Sequence, residues 1–197
     1  MPTVRVVEPS GPAVVLGSTQ RAGVVDAERA AAAGVAVVGR RSGGGAVLVR
    51  PGELVWADVF VPAGDRLWAA DVGRATHWLG ELWAEALADL GVEVTWHDGP
   101  LVAARWSTLV CFAGLGPGEV RQGSAKVVGT SQRRTRAGAL FQCAALLRWD
   151  PAALLGLLDL SAREREAGER VLSGVAAGLA VAARDLEARL LAGLALR

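Results

Sequence analysis

The sequence predicts an α+β fold in which a largely antiparallel mixed sheet is covered by helices and followed by a helical C-terminal tail. Three observations carry this expectation. Short valine-rich runs bounded by proline and glycine recur between residues 4 and 62, the pattern of strands. One long stretch of the first half spaces its apolar residues three and four apart, which lines them on one helix face that must cover the sheet. Between residues 108 and 145 the strand candidates are separated by glycine-containing loops suited to antiparallel pairing. Regular strand-helix alternation is missing, and neither G-x-G-x-x-G nor G-x-x-x-x-G-K-[ST] occurs, so a Rossmann domain or P-loop is not expected.

In chain order, VRVVE (4–8) and AVVLG (13–17) read as strands, and Val25 to Ala33 as a short helix closed by Gly34. VAVVGR (35–40) reads as a buried strand that delivers the loop RRSGGG, and LVWADVFVP (54–62) alternates as a further strand. The long helix is expected over Asp65 to Leu90, with Trp68, Val72, Ala75, Leu79, Leu82, Ala86 and Leu90 on its apolar face. Val92 to Trp96, Thr108 to Phe112, Ala125 to Ser131 and Ala137 to Ala145 are strand candidates, and GLGPG (114–118) is a loop. Asp150 followed by Pro151 reads as an N-cap with proline at the first helical position, opening a helix through Leu158. Ser161 and Glu164 have capping-box spacing, ahead of an Ala/Leu/Arg helix expected to run to the end. The chain is therefore expected to form one domain over residues 1–150, with residues 151–197 as a helical extension of it.

Composition narrows the function classes. Twenty-one basic residues stand against 20 acidic ones, for a net charge of +1, so no global field recruits nucleic acid or an anionic membrane. The apolar residues, 52% of the chain, are spread in short runs without an uninterrupted stretch of roughly 18. The opening MPTVRVVEPSGP lacks the charged and apolar regions of a secretory signal, and a cytoplasmic setting is expected. Cys111 and Cys143 belong to no C-x-x-C pair, and only His77 and His97 could join them, so no metal site is expected. His77 on the helix and His97 in a turn are read as ordinary surface residues rather than catalytic bases.

Two segments stand above this background. In GRRSGGGAVLV (39–49), three consecutive glycines follow two arginines. A glycine run costs backbone entropy on folding. A flexible hairpin tip would account for the glycines alone, whereas Arg40, Arg41 and the strand-loop-strand setting favour a loop whose N–H groups cradle a ligand. The second segment holds Lys126, the single lysine among the 21 basic residues. Arginine can supply any solvated positive charge, so a lone lysine suits a crowded site that needs a slim point charge. Cys111 ends the apolar run WSTLVCF fifteen residues earlier, and a hairpin would bring its sulfur beside the Lys126 ammonium. A cation at about 4 Å contributes up to about 4 kcal/mol at an effective dielectric near 20, enough to favour the nucleophilic thiolate. Most free cysteines are small buried hydrophobes, a description that fits Cys143.

RRSGGGAV (40–47), CFAGLGPGEV (111–120) and KVVGTSQRRTRAGALFQ (126–142), together with VVLGSTQ (14–20), resemble the lipoate-protein ligase A and octanoyltransferase superfamily, which shares its catalytic fold with biotin protein ligases. The resemblance spans roughly residues 13 to 147. It implies transfer of an octanoyl or lipoyl group to a lysine of a lipoyl carrier domain, such as the glycine-cleavage H protein or a dehydrogenase E2. It implies an acyl-binding loop of Arg40, Arg41, Ser42, Gly43, Gly44, Gly45, Ala46 and Val47, joined by Gly129 and Ser131. Lys126 matches the family lysine that bonds the acyl carbonyl region, and Cys111 matches the thiol that forms the acyl-enzyme in cysteine-dependent octanoyltransferases. No tightly bound cofactor is implied. A transferase would draw on octanoyl-acyl carrier protein, and a ligase on lipoate or octanoate with ATP and magnesium and in some cases a separate accessory subunit. The sequence departs from the pattern where Val49 and Cys143 occupy positions at which the family commonly has histidines, and where Ser-Ala rather than Gly-Arg precedes Lys126. Three expectations follow: an octanoyltransferase working through Cys111, an ATP-dependent ligase with a structural Cys111, or a non-catalytic paralogue that holds an acyl chain or carrier.

Overall fold

In the computed structural model, which describes residues Met1–Arg197, nine strands and five helices form two sheets with helices packed on them. The larger sheet contains β1 (Thr3–Val7), β5 (Leu54–Pro62), β6 (Thr95–Trp96), β7 (Val120–Gln122), β8 (Ala125–Thr135) and β9 (Gly138–Leu146). Its order is β1-β5-β9-β8-β7-β6, and every neighbouring pair is antiparallel. The smaller sheet, β3-β2-β4, is built from β2 (Ala13–Leu16), β3 (Ala36–Gly39) and β4 (Val47–Val49), with β2 parallel to β3 and antiparallel to β4. The parallel pair is joined through α1 (Ala27–Ala32), which Asp26 caps by accepting from the Arg29 N–H and which ends before Gly34 at φ +64°.

Alternation along β5 buries Val55, Ala57, Val59 and Val61, and Phe141, Cys143 and Ala145 of β9 join them. Helix α2 (His77–Ala88) covers this face with Leu79, Leu82, Trp83, Ala86 and Leu87, and α5 (Ala183–Ala195) closes it with Leu186 and Leu190. A second core lies between the small sheet, α1, α3 (Pro151–Leu157) and α4 (Ala162–Leu172), around Trp106, Val110, Leu154, Leu155 and Leu172. Val15, Val47, Phe112, Ala144 and Leu146 fill the space between the two sheets. The expected caps of α3 and α4 are present: Asp150 accepts from the Ala153 N–H, and Ser161 and Glu164 form both bonds of the capping box.

Five local expectations are corrected. Residues 65–73 are turns rather than the first part of the long helix. Asp65 and Asp71 accept from the backbone N–H groups of Leu67 and Arg74, satisfying donors that a helix would otherwise pair. Trp68 stacks 4.2 Å beneath the Arg134 guanidinium, and Val72 is exposed. Strand β3 is exposed at every residue because it is the edge of the small sheet, and an edge leaves its outer side open. Thr108 to Phe112 is not a strand: one parallel bridge joins Val110 to Ala46, and a 3-10 turn starts at Cys111. Only Thr95 and Trp96 of the 92–96 candidate pair as a strand, and their partner β7 lay unseen within the following loop region. The C-terminal helix is broken between α4 and α5, because the main chain of 175–179 bonds to β8 and β9 instead: Lys126 N–H to Val175 O at 2.9 Å, Ala177 N–H to Lys126 O at 3.1 Å and Leu179 N–H to Leu146 O at 2.8 Å.

Candidate active site

The glycine loop, the turn at Cys111 and β8 border a cavity of about 310 Å³, lined by Gly43, Gly44, Gly45, Cys111, Glu119, Lys126 and Ser131 among others. The glycine loop approaches the cysteine turn closely. The Ala46 N–H donates to Leu109 O at 2.8 Å and the Cys111 N–H to Ala46 O at 2.9 Å. A Cβ on Gly45 would lie 2.7 Å from the Val110 backbone, so only glycine fits this contact. Gly44 has φ +100°, a conformation that disfavours any side chain.

Lys126, the second residue of β8, is 3% exposed. Its ammonium bonds Glu119 Oε2 at 2.7 Å, Cys111 O at 3.1 Å and Gly114 O at 3.0 Å, and lies 4.8 Å from the Phe112 ring centroid. Three donors therefore meet three acceptors. Glu119 is equally enclosed: Oε2 also accepts from the Gly116 N–H at 2.6 Å and Oε1 from the Thr130 N–H at 3.0 Å. A buried ion pair is stable only when its remaining hydrogen-bonding capacity is met, and here both partners are saturated by the turn, the GLGPG loop and β8.

The expected pairing of the Cys111 sulfur with Lys126 is corrected in its geometry. Because Cys111 opens a 3-10 turn instead of ending a strand, its carbonyl oxygen faces the ammonium. The hydrogen bond to its sulfur comes from Arg40 NH2 at 3.6 Å. Arg40 also donates to Gly43 O at 2.7 Å, Gly45 O at 2.9 Å and Val15 O at 3.3 Å, so one side chain shapes the loop and places a cation at the thiol. Cys111 is half-buried and lines both the cavity and an adjoining recess of about 20 Å³ bounded by Val47, Trp56, Phe112, Gly129 and Ala144.

The remaining residues singled out in the sequence are distributed around this centre. Ser131 lines the cavity and the recess, while Gly129 and Val47 line the recess. Ser42 is buried behind the loop, its Oγ 2.8 Å from Ser131 Oγ and donating to Gln142 Oε1 at 2.8 Å. Ala46 is fully buried in the second core, and Arg41 is exposed. Val49 is a core residue. Cys143 is fully buried, and burial pushes its thiol up to about 11. His77 stacks against Trp96 at 5.1 Å, and His97 bonds Pro100 O, which places both histidines in local structure. Sequence reasoning missed Glu119 and Gln142. The available signal for Glu119 was the inference that a lone lysine enters a crowded site, because a buried ammonium requires a carboxylate.

Comparison with known proteins agrees with this architecture. The profile of the lipoyl protein ligase A/B catalytic domain matches residues 1–182. Among curated proteins, none matches the chain in sequence. Among solved structures, the bipartite lipoate protein ligase studied with its E2 lipoyl domain from Thermoplasma acidophilum superposes with a TM-score of 0.79 at 18% identity, over 99% of this chain and 70% of that one. Lipoate-protein ligase A bound with ATP gives a TM-score of 0.73 at 20% identity, covering 99% and 72% of the two chains. LipL1 of P. falciparum in complex with lipoate gives 0.67 at 13% identity, covering 99% and 47%. At these identities the likeness is one of fold, and no helix of the chain is long and apolar enough to cross a membrane. With the profile spanning nearly the whole chain and the α+β architecture shared with lipoate-protein ligases, the chain belongs to the lipoyl protein ligase A/B catalytic domain family.

Proposed function

We propose that this protein transfers an octanoyl or lipoyl group to a lysine of a lipoyl carrier domain through an acyl thioester on Cys111. The observation that carries this reading is the position of the Cys111 sulfur, at the junction of the cavity and its small adjoining recess and 3.6 Å from Arg40. Arg40 donates a hydrogen bond to that sulfur, which acts as the nucleophile. Attack on the acyl carbonyl of a donor thioester forms the Cys111–acyl bond and expels the donor thiolate, and attack by the carrier lysine then forms the amide and releases Cys111. Both steps pass through tetrahedral intermediates at the same carbonyl, where a preorganised cation is most effective. Lys126 takes that role by exchanging the carbonyl of Cys111 or Gly114 for the acyl oxygen, with Glu119 holding it in place. Gly129 and the loop from Arg40 to Val47 form the acyl-binding wall. The Thermoplasma ligase studied with its E2 lipoyl domain supports a lipoyl domain as the partner.

A second reading, an ATP-dependent ligase that forms an acyl-adenylate against Lys126 and the glycine loop, is favoured by the fold shared with lipoate-protein ligase A bound with ATP. Intact-mass measurement separates the two. Incubation with octanoyl-acyl carrier protein is expected to give a hydroxylamine-sensitive octanoyl adduct that Cys111→Ser lacks. Octanoyl-adenylate formed from octanoate, ATP and magnesium without dependence on Cys111 would favour the ligase. No adduct and no modified lipoyl domain under either condition would leave neither enzymatic reading standing.

A further inference from the structure

Behind the glycine loop runs a chain of hydrogen bonds whose direction the chemistry of its members fixes. The Asp58 carboxylate on β5 receives Arg5 NH2 at 3.3 Å, Trp56 Nε1 at 2.8 Å and Gln142 Nε2 at 3.2 Å. A carboxylate only accepts, so Gln142 turns its NH2 group towards Asp58 and its oxygen the opposite way. That oxygen lies 2.8 Å from Ser42 Oγ and can only accept, which commits the single hydroxyl proton of Ser42. Ser131 Oγ stands 2.8 Å on the other side of Ser42. With the Ser42 proton committed, Ser131 must donate to Ser42, and its lone pairs are what it offers to the cavity it lines. Ser42 is 1% exposed, so solvent does not readily reverse the chain. Gln132, also a lining residue, is constrained similarly: its Nε2 donates to Val72 O at 2.7 Å, leaving Oε1 buried without a partner.

Ser131 thus presents lone pairs to the cavity, suited to a ligand group that brings an N–H donor. We propose that Ser131 is the amine subsite of the reaction: an N–H of the neutral ε-amino group of the incoming carrier lysine donates to Ser131 Oγ, which leaves the nitrogen lone pair free to face the acyl carbon on Cys111. The inference rests on the acyl-transfer reading above. Arg40 acts in the same sense, because a guanidinium beside the sulfur disfavours a second cation and favours the free amine over the ammonium. In the step itself the nitrogen–carbon bond forms and the carbon–sulfur bond breaks. The proton lost from nitrogen balances the one regained by sulfur, so acyl thioester and amine become amide and thiol. Neither buried Val49 nor Cys143 supplies a base here, and the subsite needs none if the amine arrives unprotonated.

The test separates the two half-reactions by rapid-quench intact-mass spectrometry on the full chain, first with octanoyl-acyl carrier protein and then, after isolation of the octanoyl-enzyme, with a lipoyl domain. Ser131→Ala is expected to acylate Cys111 at close to the wild-type rate and to transfer to the lipoyl domain about tenfold or more slowly, the scale of one lost positioning hydrogen bond. Ser131→Thr, which keeps the hydroxyl on a strand that tolerates β-branching, is expected to recover most of that loss. Both should melt close to the wild type. Transfer by Ser131→Ala at the wild-type rate overturns the subsite, as does equal slowing of both half-reactions or a threonine variant as slow as the alanine one. A wild-type protein that acquires no octanoyl group, or never passes it on, instead overturns the acyl-transfer reading and the subsite with it.

Discussion

Lys126 lies in a position where 3% of its surface meets solvent, and its three acceptors all come from the stretch 111–119. The fit is specific to an ammonium. A guanidinium is planar and longer, and cannot direct donors to Glu119, Cys111 O and Gly114 O at once. The space is also limited: a Cβ on Gly129 would already lie 3.2 Å from Lys126 Cε. Lys126→Arg is therefore expected to abolish acyl transfer while leaving a folded protein with a lowered melting temperature. Lys126→Ala strips Glu119 of its counter-charge and is expected to cost about 3–5 kcal/mol, the scale of a broken buried pair. Activity assays beside thermal melts check both, and wild-type transfer by the arginine variant would end the case for a compact cation. The lysine was legible in the sequence because it is alone among arginines, and Cys111 because of its spacing from it. Arg40 at the sulfur was not legible, since that contact spans 71 residues and depends on Cys111 opening a turn.

At the scale of elements, the glycine loop and the cysteine turn act as one unit. Gly45 packs against Val110, and Gly17 supports the loop from beneath, where a Cβ would meet Gly44 O. Gly43 has open space around its Cβ position and no positive φ. Gly45→Ala must push the loop off the turn, with a cost of roughly 1–3 kcal/mol and a displaced Cys111, so it is expected to lose most acyl-enzyme formation. Gly43→Ala should keep the fold and its stability. The acylation rates and melting curves of the two variants provide the comparison, and a Gly45→Ala enzyme as fast as the wild type would show that the close approach does not matter. Local patterns recovered the elements whose partners lie nearby: the caps at Asp150 and Ser161, the β8–β9 hairpin and the buried face of α2. They failed where distant groups intervene. The 3.6-residue periodicity of 65–76 is real, yet Asp65, Asp71 and the Arg134 guanidinium over Trp68 draw that stretch into turns. WSTLVCF is apolar enough for a strand, but Leu109 and Val110 donate back to Trp106 O and Ala46 holds Leu109 O and the Cys111 N–H, so the stretch closes as a turn.

Across the whole molecule, the C-terminal third is tied to the site. The main chain of 175–177 pairs with Lys126 on both its N–H and its carbonyl, so the segment after α4 helps fix where the lysine stands. Helix α5 lies beyond residue 182, where the family profile ends, yet Leu186 and Leu190 are 0% and 1% exposed within the core between α2 and the large sheet. Gly193 packs so closely that a Cβ there would come within 2.7 Å of Leu82 Cδ1. We expect such a helix to belong to the cooperative unit and not to hang from it. Leu186→Ala removes a side chain from a sealed site and is expected to cost about 2–5 kcal/mol. Leu191→Ala, one turn on and 41% exposed, should stay within about 0.5 kcal/mol of the wild type. Chemical denaturation followed by tryptophan fluorescence measures both, and a single transition is expected because Trp83 in the α2 core and Trp106 in the second core report on the two packed regions. If Leu186→Ala is no less stable than Leu191→Ala, or if α5 melts in a separate transition that spares acyl transfer, the helix is an appendage and the catalytic unit ends before it.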